Sequence, residues 1–230
     1  MAASLSWRGI LYAGGLSATA GYVDAVAYLH LGGYFVSFMS GNTTRASSDI
    51  VHGSLIGAGL AFGLVGFFVL GVVTSTLVFR RWEMSRLPLV LALAAVLLAA
   101  ASVMPVLAAE PAVPPLLAMA MGVVNTSYTK NGEVSIGLTY MTGTLVKIGQ
   151  NFAAALTGGS HTRWLKYLSL WTMISLGALV GAIAYRYSGL LSLWAATATL
   201  AIWAILAVLS ARRNNVSRLS AGRKPSEQHE

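Results

Sequence analysis

Asp24 is the residue of this sequence with the most distinctive chemistry, because it is the single charge in the apolar stretch 9–29. An acid at mid-membrane is unfavourable by about 2.5–3.5 kcal/mol on insertion scales, so such acids are rare and mark functional sites. Asp24 therefore predicts a proton or cation site, or an anchor for the amine of a substrate. The alternative is a structural carboxyl, either protonated or paired with Arg45, that fixes helix packing.

Two similar polar motifs, residues 37–45 and 139–147, form a second candidate feature. Each contains an aromatic residue, Met, Ser or Thr, and Gly, and each ends in a cation. Ser, Thr and Asn are common helix N-cap residues, and a helix N-terminus attracts anions. The central Gly41 and Gly143 allow a helix break or close helix packing. The motifs could hold a polar ligand, or they could serve packing alone.

The elements that carry these residues are apolar helices. Hydrophobic residues make up 56% of the 230-residue chain and charged residues only 10%, whereas soluble domains carry about 25% charged residues. A helix needs roughly 20 apolar residues to cross a bilayer. We therefore predict an all-α integral membrane protein with six transmembrane helices. The predicted spans are 9–29, 55–79, 87–109, 112–129, 167–185 and 187–211.

The distribution of Lys and Arg predicts the orientation of the chain. With a cytoplasmic N-terminus, thirteen of the fifteen cations lie inside and only Arg45 and Arg186 lie outside, in agreement with the positive-inside rule. Both termini are then cytoplasmic, in a bacterial inner membrane. Topology explains the net charge of +8, so no nucleic acid partner is predicted. A rival model with eight spans divides the cations less well, eight inside and five outside.

The two halves of the chain resemble each other. The motifs 37–45 and 139–147 are offset by 102 residues, Asp24 corresponds to Asn125 at an offset of 101, and Gly71 corresponds to Gly177 at an offset of 106. Each half holds three spans, so the halves lie in the membrane with opposite orientation, as in many secondary transporters.

The predicted organisation has four segments and two special linkers. Linkers 31–54 and 130–166 are expected to be broken or re-entrant helices in the six-span model, or full spans in the eight-span model. The segments are a cytoplasmic N-terminus (1–8), a first three-span repeat (9–110), a second three-span repeat (111–211) and a disordered basic cytoplasmic tail (212–230).

The motifs also resemble a known family. Gly-x-x-Asp-Ala-x-x-Tyr-Leu at 21–29, Phe-x-x-x-x-Ser-Gly-Asn-Thr at 35–43 and Tyr140-x-Thr-Gly-Thr-Leu resemble the YoaK-like family of bacterial proteins. The resemblance covers roughly residues 9–210, and departs from the family's pattern at Ser40, where Thr is expected. It implies a multi-span bacterial membrane protein but no activity, because the family has no established one.

No enzyme signature accompanies these features. The chain has no Cys and four scattered His, which give no metal constellation. It also has no Walker A motif, so neither a metal nor another cofactor is predicted. Trp171, Trp194 and Trp203 lie within predicted spans, where packing or lipid contact explains them.

The combined prediction is a secondary transporter or facilitator of a small polar solute, with its site between the inverted halves. The rivals are a passive channel and a non-transporting scaffold or partner subunit, and an intramembrane enzyme is more remote. The expected partners are the lipid bilayer, the solute and a second copy in a homodimer. The predicted substrate or ion site comprises Asp24, Asn42, Arg45, Asn125, Thr142, Thr144 and Lys147.

Overall fold

The computed structural model describes residues 6–80, 86–130, 133–134, 137–139 and 141–221. These residues are almost entirely helical, which confirms the predicted all-α class. The exception is a short antiparallel ladder between Thr129–Lys130 and Glu133–Val134. The helices are α1 (Trp7–His30), α2 (Met39–Val51), α3 (Leu55–Val78), α4 (Arg86–Val103), α5 (Val113–Asn125), α6 (Met141–Leu156), α7 (Arg163–Ser188) and α8 (Leu193–Ala221), with 3-10 turns at Glu110–Ala112 and Gly189–Ser192.

Three helical stretches are long and apolar enough to cross a membrane: Leu55–Val78, Arg86–Val103 and Arg163–Arg212, the last of which contains α7 and most of α8. The first has a mean hydropathy of 2.4 although only 22% of it is buried. An apolar helix surface that protein does not cover needs lipid as its solvent. The chain is therefore a membrane protein. α5, at 13 residues, is shorter than the roughly 20 residues that a complete span needs.

Two short helices occupy the linkers where broken segments are predicted. α2 has 13 residues and α6 has 16, so both are shorter than a span of roughly 20 residues. They begin at Met39 and Met141, which are equivalent residues of the two polar motifs. Their lengths fit the predicted partial segments.

At the other end of the chain, α8 continues to Ala221, beyond the predicted start of the tail at residue 212, and residues 222–230 lie outside the described part.

Helices from the first half pack mainly on helices from the second half. α1 packs on α7, α3 on α5, and α4 on both α8 and α5, while α2 packs on α3 and α6 on α7. The interior between these helices is aliphatic. Its largest fully buried side chains include Leu16, Val23, Leu64, Leu91, Leu98, Leu117, Met121, Leu138 and Leu200.

Glycines allow the closest helix contacts. In the α3–α5 crossing, a Cβ on Gly71 would overlap the carbonyl oxygen of Met119, and one on Gly122 would overlap that of Phe68. In the α1–α7 crossing, Gly177 lies in the same way against Ala18, and Gly21 against Ile174. These contacts are between backbones, which small residues permit in membrane helices.

Gly71→Ala is expected to destabilise the protein by about 1–3 kcal/mol, because the added methyl group must push two backbones apart. Gly66→Ala in the same helix is the matched control, because a Cβ there meets nothing within 4 Å, and the change should raise helix stability by about 0.5–1 kcal/mol. Chemical denaturation in mixed micelles measures both free energies. Equal effects of the two substitutions would contradict the close crossing.

Candidate functional site

Asp24 holds the connection between α1 and α2. Its Oδ1 accepts hydrogen bonds from the backbone N–H groups of Val36 and Ser37 at 2.8 and 2.9 Å, and its Oδ2 accepts one from the Ser37 hydroxyl at 2.9 Å. Backbone donors that would otherwise lack partners are satisfied in this way. Asp24 thus has a structural role in addition to its charge.

Asn125, the counterpart of Asp24 in the second half, makes a related contact. The Thr139 hydroxyl donates to Asn125 Oδ1 at 3.0 Å, and Asn125 Nδ2 donates to the Met121 carbonyl at 2.9 Å. Ser17 of α1 donates to the carbonyl of Leu138, the residue before Thr139. A neutral amide therefore accepts from the same kind of hydroxyl donor as the Asp24 carboxylate.

Arg45 pairs with Asp49 one helical turn away, rather than with Asp24. The Arg45 Nε lies 3.5 Å from Asp49 Oδ1, and the guanidinium carbon lies 5.0 Å from the centre of the Tyr34 ring. The Tyr34 hydroxyl donates to Asp49 Oδ2 at 2.6 Å. This hydrogen bond, assisted by burial, raises the pKa of Tyr34 above its ordinary value, so Tyr34 stays a donor. The cluster fixes α2 to the α1–α2 connection.

Asn42 and Gly41 shape the same connection. Asn42 is fully buried, accepts from the Phe35 N–H at 2.8 Å and donates to the Phe35 carbonyl. Gly41 lies inside α2, where the rings of Phe35 and Phe38 occupy the space that a Cβ would need. Gly41 is therefore a close-packing residue within a continuous helix.

The second motif lies on α6, which is more exposed than α2. Thr142 is exposed, and Gly143 and Thr144 are half-buried in the first turn. Lys147 is exposed, with its Nζ 5.7 Å above the ring of Tyr167. Tyr140 of this motif lies outside the described residues.

A pocket of about 470 Å³ opens beside Asp24. Its walls come from α1, from Phe35 in the α1–α2 connection, from Met141 at the start of α6, and from α7. Of the predicted site residues, Asp24 alone is among the described residues that line it. The lining residues are Gly21, Asp24, Ala25, Tyr28, Leu29, Phe35, Met141, Trp171, Ile174, Ser175, Ala178 and Ala182.

The aromatic wall of this pocket was missed by sequence reasoning. Tyr28, Phe35 and Trp171 come from α1, the α1–α2 connection and α7. In the sequence, Tyr28 and Phe35 stand out only as positions of the family-like motifs, and Trp171 only as a packing or lipid-facing residue. Asp49 was also missed, although an acid four residues after Arg45 on a helix is a recognisable signal for an ion pair. Within the described ranges, no three His, Asp or Glu side chains are grouped so as to hold a metal ion.

Comparison with known proteins establishes the family. Residues 13–206 match the model of the family described as "Protein of unknown function (DUF1275)". The chain belongs to this family. Family membership confirms the predicted resemblance, since the YoaK-like proteins are members. One relative is the UPF0700 transmembrane protein RA0705 of Rhizobium meliloti (strain 1021), which is 32% identical over 190 residues, or 81% of this chain and 80% of the relative. No solved structure matches the chain.

Substitution of Asp24 separates its structural role from its charge. Asp24→Ala leaves two backbone N–H groups without their acceptor, and each such loss is expected to lower stability by about 1–3 kcal/mol. Asp24→Asn keeps an acceptor oxygen in place, as Asn125 does in the second half, so its free energy of unfolding should lie near that of the wild type. Chemical denaturation in mixed micelles provides the comparison. If Asn were as destabilising as Ala, the carboxylate charge itself would be part of the fold.

Proposed function

We propose that this member of the family is a secondary transporter or facilitator of a small polar solute. The observation that carries the proposal is the Asp24 carboxylate, which lines a pocket walled by α1 of the first half and α7 of the second. Its hydrogen-bond donors are neutral groups, so its charge is left for a ligand or a proton. A charge in this setting is expected to be functional.

The helix crossings support an internal repeat. Phe68 and Gly71 of α3 correspond to Ile174 and Gly177 of α7, at an offset of 106 residues. Met119 and Gly122 of α5 correspond to Ala18 and Gly21 of α1, at an offset of 101 residues. The contacts of the α3–α5 crossing therefore have equivalents in the α1–α7 crossing. The offset of 101 is the one between Asp24 and Asn125, and the offset of 106 is the one between Gly71 and Gly177. The two glycine contacts of one crossing thus recur in the other, with carbonyl partners at equivalent positions, as expected if each crossing joins one copy of a structural unit to the other copy.

The helix directions support inversion of one copy. The hydroxyls of Ser75 and Thr126, near the C-terminal ends of α3 and α5, are 2.7 Å apart, so these two helices run the same way. The space beside Gly57 at the start of α3 is filled by the hydroxyl of Tyr34, which follows the end of α1. The start of α3 thus lies beside the segment that follows α1, as expected if α3, and with it α5, runs opposite to α1.

In this proposal the six predicted spans lie in a bacterial inner membrane with both termini in the cytoplasm. Rocking of one half against the other would open the Asp24 pocket first to one side and then to the other. α1 and α7 supply facing walls of the pocket, so a change in their relative tilt would change access to Asp24. No catalytic step is assigned to the chain.

A ligand screen on the purified protein tests the proposal. Thermal unfolding in detergent is measured against a panel of small metabolites, and a true ligand at 100 times its dissociation constant adds about 2.7 kcal/mol of stability. We expect at least one hit that is lost in Asp24→Asn, and uptake of that compound by proteoliposomes. The matched control is Asp49→Asn, which neutralises the ion-paired acid outside the pocket lining and should retain the hit.

Other outcomes distinguish the rival functions. A channel would be favoured if uptake of a hit compound rose almost linearly with its concentration and required no gradient of a coupling ion. If no compound of the panel stabilises the wild-type protein, the result would favour a scaffold or partner subunit and would contradict transport.

Cysteine labelling tests the inverted topology. The chain has no Cys, so a single introduced thiol labels without background. Arg80 and Arg186 are equivalent positions, and we expect Arg80→Cys to react only from the cytoplasm and Arg186→Cys only from outside. A membrane-impermeant maleimide applied to spheroplasts and to inverted vesicles gives the readout.

The same pair decides between the two span counts. In the eight-span model both positions face outward, so labelling of both from outside would refute the six-span inverted arrangement. A permeant maleimide controls for a thiol that is buried rather than on the opposite side.

A further inference from the structure

The walls of the Asp24 pocket are mainly aromatic and aliphatic. Tyr28 and Phe35 pack with ring centres 4.9 Å apart, and Trp171 of α7 lines the pocket with them. The aromatic faces carry negative potential and attract cations within about 6 Å. An acid and three aromatic rings around one pocket thus favour a ligand that is both cationic and apolar.

The charge of Asp24 has no cationic partner among the described side chains. From the sequence, Arg45 is a candidate partner of Asp24, but Arg45 contacts Asp49 and the Tyr34 ring. Ser175 of α7 also lines the pocket, and its hydroxyl donates to the Trp171 carbonyl at 2.9 Å. The pocket therefore presents one negative group and no described positive one, which disfavours an anionic ligand.

A divalent inorganic cation fits this lining poorly. Hard cations such as Mg²⁺ and Ca²⁺ require about six or more oxygen ligands, whereas the described lining offers one carboxylate and few other polar atoms. A substituted ammonium ion needs only one counter-charge and apolar walls. The pocket volume of about 470 Å³ lies within the range of about 300–1,000 Å³ that is usual for small-molecule sites.

The backbone that carries Phe35, one of the three rings, is fixed by hydrogen bonds within the protein. Asn42 bonds both backbone groups of Phe35, and Asp24 bonds the N–H groups of the next two residues. At Gly41 the rings of Phe38 and Phe35 pack against α2, with Phe38 the nearer of the two. Fixing Phe35 in this way reduces the ordering of this residue that binding would otherwise require.

We propose that the Asp24 pocket binds a monovalent organic ammonium ion, with its charge between Asp24 and the rings of Tyr28, Phe35 and Trp171. This inference rests on the proposed transport function, because it names the class of the transported solute. The apolar substituents of the ammonium ion contact the aliphatic wall of α7, and the carboxylate supplies the counter-charge.

Binding of three probes to the purified full-length protein in nanodiscs tests the inference. The probes are tetramethylammonium, choline and benzyltrimethylammonium, each titrated by calorimetry beside its uncharged isostere, in which carbon replaces the ammonium nitrogen. We expect at least one cation to bind about tenfold or more tightly than its isostere. Equal binding of cation and isostere, or no binding of all three cations, would overturn the inference.

Aromatic substitutions locate the site. Trp171→Leu is expected to weaken binding of that cation by about tenfold. The matched control is Trp194→Leu on α8, because Trp194 and Trp171 are similarly exposed, at 44% and 36%, and Trp194 does not line the pocket. Tyr28→Leu serves as a second variant if Trp171→Leu does not fold. Equal loss in the control, or no loss in either pocket variant, would place the binding elsewhere and overturn the inference.

Flux measurements separate this inference from the transport proposal. Binding of the cation at the pocket without uptake into proteoliposomes would support the site and contradict transport. Uptake of an uncharged or anionic solute that requires Asp24, without ammonium binding, would support transport and overturn the ligand class.

Discussion

At the two glycine crossings, helix backbones approach each other more closely than any side chain would allow, and the arrangement of the other helices depends on this. Apolar helices in lipid gain little from hydrophobic burial, so close packing of small residues must hold them together. Gly21 and Gly177 bring α7 against α1, and Gly71 and Gly122 do the same for α5 and α3. The pocket beside Asp24 exists because α7 is seated there and supplies its far wall.

The comparison of Asp24 with Asn125 separates folding from function. Both accept a hydrogen bond from a hydroxyl in the segment after their helix, so an amide is sufficient for this kind of contact. The first half nevertheless has a carboxylate, which carries the unfavourable free energy of a charge in an apolar setting. The hydroxyl contact by itself does not require that charge. Its presence at a pocket with aromatic walls is better explained by a ligand of opposite charge.

The sequence predicts the long apolar helices well, but it does not predict the length of α5, the end of α8 or the lining of the pocket. Long charge-free stretches gave α3, α4, α7 and α8, because lipid imposes a length and a composition that can be read directly. The sequence left open a pairing of Arg45 with Asp24, but Arg45 pairs with Asp49, which lies one helical turn away. Tyr28, Phe35 and Trp171 meet only through tertiary packing. No periodicity in one segment indicates that aromatic residues of other segments will face it.

The seating of α1 on α7 has a consequence for biosynthesis. α1 leaves the ribosome before its principal partner α7, which begins at Arg163, so more than 130 residues (31–162) are made between the two helices before they can meet. The acid of α1 does not have to wait as long, because its hydrogen-bond donors lie at Val36 and Ser37. If α1 spans the bilayer as we propose, its acid can form these local hydrogen bonds as soon as the following connection emerges, before α7 is made.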